Sequence, residues 1–168
     1  MATASPERHI LVGGPRSGKS TFARALRECG VPTFCADPAS TVKQPEEGVT
    51  YLPDAFAAPG MWSEATDLIA AEWLSMPGPW LIEGVAMARA LRKWLRTAPP
   101  GELPCERVIY FDRPLVAQSE GQRRMGVAVR TVFDQISGRL KPIVEAPCQI
   151  IMGKLSCPCQ RGGDHRLR

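Results

Sequence analysis

The chain has 168 residues, of which 44% are hydrophobic and 23% charged, a mix that suits one globular domain and excludes a disordered or fibrous polypeptide. A formal net charge of +4 is too mild to argue by itself for nucleic acid. No run approaches the roughly 18 apolar residues of a membrane span, and Met1 to Arg8 lacks the apolar core of a signal peptide, so a cytoplasmic protein without a membrane partner is expected.

In chain order, Arg8 to Gly13 is a short apolar run ending in glycine and predicts a buried strand. Lys19 to Cys29 reads as a helix, closed by Gly30 and Pro32. Thr33 to Ala36 predicts a second strand, and the proline-rich stretch from Asp37 to Gly60 predicts mostly loop, of a length that is often functional. Trp62, Ala65, Ile69 and Trp73 recur at helical spacing, with Ser63 as the expected cap. Trp80 to Ile82 predicts a third strand, ending at Glu83-Gly84. Met87, Ala90, Leu91, Trp94 and Leu95 make the apolar stripe of the next helix. After a Pro/Gly-rich connection, Arg107 to Phe111 predicts a fourth strand, ending at Asp112-Arg113-Pro114. A helical region follows to about Leu140, weakened early by Gly121 and Gly126 and apolar on one face at Val129, Val132, Phe133 and Ile136. Pro142 to Glu145 is a candidate fifth strand.

Strands alternating with helices predict an α/β fold: a parallel sheet of about five strands with helices on both faces and right-handed crossovers. The expected domain covers residues 1–150, followed by a Cys- and Arg-containing tail at 151–168. In such sheets ligands sit at the carboxyl ends of the strands, which selects Gly13 to Ser20, Asp37, Glu83 and Asp112.

The strongest motif is Gly13-Gly14-Pro15-Arg16-Ser17-Gly18-Lys19-Ser20-Thr21, placed between a strand and a helix. Tight turns converge backbone N–H groups on phosphate oxygens, and the helix start adds its positive dipole end. Lys19 is expected on the β/γ-phosphates of ATP and Ser20 on Mg²⁺, which predicts a P-loop NTPase fold. Asp37, just past the second strand, could orient and deprotonate an attacking hydroxyl, although an Asp before proline is equally a turn former. Glu83 ends an apolar strand, as the carboxylate of a Walker B element does, and would order Mg²⁺ and its waters.

Basic residues form the remaining signal. Arg89, Arg92 or Lys93, and Arg96 share one helix face, and Arg123, Arg124 and Arg130 follow the fourth strand. Between Arg113 and Lys141 there are six Lys/Arg against two acids. Lid arginines can neutralise a transferring phosphoryl group, with Arg124 and Arg89 the selected candidates; solvated helix faces explain the same residues. Cys29, Cys35 and Cys105 read as small core residues. Cys148, Cys157, Cys159 and His165 crowd near the end of the chain and are a set that could hold zinc, although they lack the paired Cys-x-x-Cys spacing of a standard site.

Taken together, these elements resemble the nucleotide-kinase group that includes thymidylate kinases, over residues 8 to 145. The chain departs from nucleoside monophosphate kinases where those carry Asp-Gly-Phe-Pro-Arg or Asp-Arg-Tyr: here Glu83-Gly84-Val85-Ala86-Met87-Ala88-Arg89 stands instead. The stretches Val12 to Thr21, Trp80 to Val85, Ala88 to Leu95 and Thr131 to Phe133 look like small kinases of tailed bacteriophages. Some of that group phosphorylate the hydroxymethyl of 5-hydroxymethyluracil inside DNA, a step toward hypermodified thymine.

The resemblance implies a γ-phosphate transfer to a hydroxyl, with modified DNA as the acceptor and the host cytoplasm as the location. A nucleoside monophosphate or small-metabolite kinase is the alternative within the same chemistry. A nucleotide-binding switch without phosphoryl transfer is the alternative from another class.

Overall fold

The computed structural model describes residues 7–141 together with the backbone of Ile143–Glu145. Among the described residues six strands form one sheet: β1 (Arg8–Gly13), β2 (Thr33–Pro38), β3 (Val49–Leu52), β4 (Trp80–Glu83), β5 (Arg107–Phe111) and β6 (Ile143–Glu145). Their order is β3-β2-β4-β1-β5-β6, and every pairing is parallel. The expected α/β sheet is therefore present. The strand additional to the reading of the sequence, β3, lies in the stretch expected to be loop. Its four residues are too few for an alternation signal, and its edge position leaves only Leu52 buried.

The α-helices are α1 (Lys19–Glu28), α2 (Trp62–Ala71), α3 (Met87–Thr97), α4 (Glu120–Asp134) and α5 (Ser137–Leu140). Alternation along the strands splits the core in two. Leu11, Leu81, Ile109 and Phe111 face α1, where Phe22, Ala23 and Leu26 are buried. Ile10, Val12, Ile82 and Tyr110 face the opposite layer, built from α2, α3 and α4. Phe22 meets Phe111 edge-on at 5.9 Å, and Tyr110 stacks on Phe133 at 4.4 Å. Truncating a fully buried aromatic such as Phe22 or Phe133 typically costs about 3–5 kcal/mol.

Two helix ends differ from expectation. Helix α2 is preceded by Met61 as its cap, so Ser63 lies inside the first turn, and Trp73 falls in a separate 3₁₀ turn (Trp73–Ser75). The Ser63 carbonyl and hydroxyl instead accept from Lys93 Nζ at 2.7 and 3.0 Å. Helix α4 survives its two glycines because Ser119 and Gln122 form a reciprocal capping box. Gly126 also has a packing role: a Cβ built on Gly14 would lie 2.9 Å from the Gly126 Cα. The absence of side chains at both positions lets α4 approach the β1–α1 turn.

Candidate active site

The β1–α1 turn sits at the carboxyl end of the sheet, flanked by β4 and β5. Gly18 caps α1 with φ 92°, and no side chain caps the helix, so its first N–H groups face outward. A side chain at Gly13 would meet the Phe111 Cβ and carbonyl oxygen, both at 2.9 Å. From the far side, the Leu115 N–H donates to the Arg16 carbonyl at 2.9 Å, and Gln118 Nε2 donates to the Pro15 carbonyl at 2.7 Å. The chain after β5 thus ties the turn from outside and leaves its inner face open.

Lys19 is 6% exposed. Its Nζ donates to the Gly14 carbonyl at 2.7 Å and to Ser17 Oγ at 3.3 Å, both neutral acceptors. Burial lowers its pKa, while the charges of Glu83 and Asp37 oppose that shift. Glu83 is 7% exposed, and Ser20 Oγ donates to its Oε1 at 3.1 Å. Register explains the grouping, because Cys35 and Leu11 both align with Glu83 across β2, β4 and β1. Asp37, two residues past Cys35 on β2, has among the described residues only the weak Cys35 Sγ contact, at 3.9 Å. Burial raises the pKa of both carboxyls, with the Lys19 charge pulling each back and the Asp37 charge pushing Glu83 further up. Burial likewise drives the Cys35 thiol upward, which disfavours the thiolate.

All four residues open into one cleft of about 620 Å³, shared with Arg16, Arg27, Glu46, Tyr51, Phe56, Trp62, Gln122 and Met125. The donor set fits a magnesium nucleotide. Uncapped helix N–H groups and a buried lysine bonded only to neutral acceptors suit phosphate, and a hydroxyl beside a carboxylate suits a hard cation.

The structure thus brings Gly13 to Thr21, Asp37 and Glu83 together. It does not bring in the two selected arginines. Arg124 is exposed and pairs with Glu120 one turn earlier on α4; Arg89 is exposed on the first turn of α3. Neither lines the cleft; the residues of α4 that do are Gln122 and Met125. Arg123 and Arg130 line a smaller hollow of about 250 Å³ behind the turn, where Arg130 and Arg113 pair with Asp112. On α3, Arg92 donates to Gln135 and Lys93 pairs with Asp67, leaving Arg89 and Arg96 as the exposed cations of that face.

The reading of the sequence missed Glu46, Tyr51 and Phe56 as cleft residues, because they lie in the stretch expected to be loop. Cys148, Cys157, Cys159 and His165 lie outside the described residues, and no group of three or more His, Cys, Asp or Glu side chains placed to hold a metal occurs among the described ones. No helix among them is long and apolar enough to cross a membrane.

A parallel sheet carrying this glycine-rich turn, with a carboxylate at the end of the adjacent strand, defines the P-loop NTPase fold. No known family model matches the chain, and no curated protein matches it. Among solved structures it is similar to shikimate kinase from Acinetobacter baumannii in complex with shikimate, with a TM-score of 0.51 and 14% identity over 89% of this chain and 94% of that one. At that identity the likeness is one of fold.

Proposed function

We propose that the protein is an ATP-dependent kinase that moves the γ-phosphate to a hydroxyl acceptor. The observation that carries this reading is the convergence of Lys19, Ser20, Asp37 and Glu83 on one cleft. A nucleotide-binding switch needs no poised base, whereas Asp37 sits there with its pKa raised and no strong hydrogen-bond partner.

The chain's residues divide the work. The uncapped start of α1 and the Lys19 ammonium hold the triphosphate, and Lys19 stabilises charge as it shifts toward the leaving oxygen. Asp37 accepts the proton of the acceptor hydroxyl while that oxygen bonds to the γ-phosphorus and the bond to the bridging β-oxygen breaks. Ser20 and Glu83 would hold magnesium, which supplies charge neutralisation across the β- and γ-phosphates. The Leu115 and Gln118 ties keep the turn in shape during transfer.

For the acceptor, the reading is 5-hydroxymethyluracil in phage DNA, with phosphate placed on its hydroxymethyl oxygen in the host cytoplasm. Support comes from the resemblance of the stretches Val12 to Thr21, Trp80 to Val85, Ala88 to Leu95 and Thr131 to Phe133 to small phage kinases and from the aromatic lining of Tyr51, Phe56 and Trp62, against which a base flipped from a duplex could stack. Arg89, Arg96 and Arg123 are exposed and available for backbone phosphates outside the cleft. The second reading, a kinase of a free small molecule, is favoured by one observation: the solved structure similar in fold is a shikimate kinase in complex with shikimate.

Incubation with γ-labelled ATP and a panel of hydroxymethyluracil-containing DNA, thymidine monophosphate and small alcohols separates the two. The DNA reading expects label in DNA only, with binding that weakens by about 0.7 to 0.9 log units per log unit of salt for each phosphate contacted. Salt-insensitive transfer to a free small molecule supports the second reading.

A further inference from the structure

The cleft is lined by three cations, Arg16, Lys19 and Arg27, and three acids, Asp37, Glu46 and Glu83. Arg16 and Lys19 belong to the phosphate-binding turn, and Asp37 and Glu83 flank it. That leaves Arg27 as the cation away from the turn, and it is not free. Glu46 accepts from Arg27 Nη2 and also from Arg24 Nη2 at 2.6 Å and Nε at 3.2 Å. The two arginines hold the Glu46 carboxyl down at about 2, so it stays ionised through the physiological range. The Glu46 backbone N–H donates to the Tyr51 hydroxyl at 2.8 Å, which places the acid against the aromatic wall. The rest of the wall away from the turn is apolar or neutral: Val42, Gln44, Phe56 and Trp62.

Resting on the kinase reading, we infer that Glu46 sets acceptor selectivity: it engages and cancels the charge of Arg27, the cation lining the cleft away from the turn, so that an uncharged, flat, hydroxyl-bearing group is admitted and a phosphate- or carboxylate-bearing one is refused. The selection works by repulsion and by occupancy. An anion entering the cleft meets the Glu46 carboxylate and finds its natural partner, the Arg27 guanidinium, already engaged. A base attached to DNA meets no such penalty, because its phosphates stay outside.

The test is binding without phosphoryl transfer, using thymidine and thymidine 5′-monophosphate as probes in titration calorimetry. Three proteins are compared: wild type, Glu46→Gln, and the triple variant Glu46→Gln/Arg24→Met/Arg27→Met. The Glu46→Gln variant is expected to bind the monophosphate about fivefold more tightly than wild type, the scale of one partly exposed ion pair, with thymidine affinity unchanged. The triple variant is expected to lose that gain. Any loosening of the 42–48 segment is common to both variants, as is any anion binding at the phosphate-binding turn, so the difference isolates the freed guanidinium groups. No gain for the monophosphate in Glu46→Gln, or a gain that persists in the triple variant, overturns the inference. Failure of the kinase reading itself would show only in the transfer assay.

Discussion

The two ends of the sheet treat charge in opposite ways. At the amino ends, charges are paired at the surface. Arg8 donates to Glu106 from its backbone N–H at 2.7 Å and from its guanidinium at 2.8 Å, and Arg107 pairs with Glu7. These pairs push Arg8 up and Glu106 down in pKa, each toward its charged form. At the carboxyl ends, charges are buried and underpaired. Lys19 is bonded to neutral oxygens, Asp37 to a thiol and Glu83 to a hydroxyl, and all three are shifted toward their neutral forms. Charges arranged for stability are stabilised in place; charges left in tension with their surroundings are ready to engage a substrate.

That contrast breaks most sharply at Lys19. Lys19→Ala should leave a folded protein whose transfer rate falls by about 10²- to 10³-fold, the usual cost of losing one preorganised charge donor. Circular dichroism beside a turnover assay checks it; near-normal turnover would remove Lys19 from the mechanism.

Asp37→Asn should lower kcat by about 10²-fold while ATP affinity stays within a few-fold. Because the folded Asp37 carboxyl titrates above its ordinary value, the acid limb of the wild-type kcat profile should lie above the usual carboxylate range. That limb should vanish in the variant. Collapse of ATP affinity at an unchanged rate would make Asp37 a metal or structural residue.

At the other end of the sheet, Glu106→Gln should leave kcat untouched. Its pair with Arg8 is partly exposed, so about 1 kcal/mol or less is at stake, a fall in Tm of up to about 4 °C. A change in kcat without a change in Tm would undo the division between the two ends.

The smallest effect belongs to His9, which is 6% exposed, with Nδ1 lacking a partner among the described residues. Burial holds its pKa below the ordinary histidine value, against an opposing pull from Glu7. The unfolded chain therefore binds the extra proton. The stability contribution is full above about pH 6.5 and is lost as pH falls below it. Thermal unfolding at pH 7.5 and 5.5 should show a drop that His9→Gln reduces, while the kcat profile is unmoved.

How far the sequence foretold this follows from the length of each signal. The β1–turn–α1 unit was legible because its glycines and lysine stand at fixed offsets between an apolar run and an amphipathic helix. Glu83 was legible because a lone acid ends a strand buried at all four positions. Strand β3 was hidden: four residues on an edge carry too little alternation to stand out among prolines. With it went Glu46 and Tyr51, whose placement comes from contacts with α1 and with each other. Gly126 read as a weak point in a helix because its neighbour Gly14 is distant in sequence. The surroundings of the lid arginines were hidden for a similar reason. Spacing places Arg124 on a helix face, and only packing decides that this face looks to solvent.

The most direct test of the central claim is single-turnover transfer with hydroxymethyluracil-containing DNA, followed by nucleoside digestion and mass spectrometry, in wild type and Asp37→Asn side by side. The account predicts a phosphorylated hydroxymethyl nucleoside formed by wild type, formed about 10²-fold more slowly by the variant, with one ADP released per phosphate transferred. ATP bound by both proteins but consumed by neither, with this DNA or with any small hydroxyl acceptor, would contradict it.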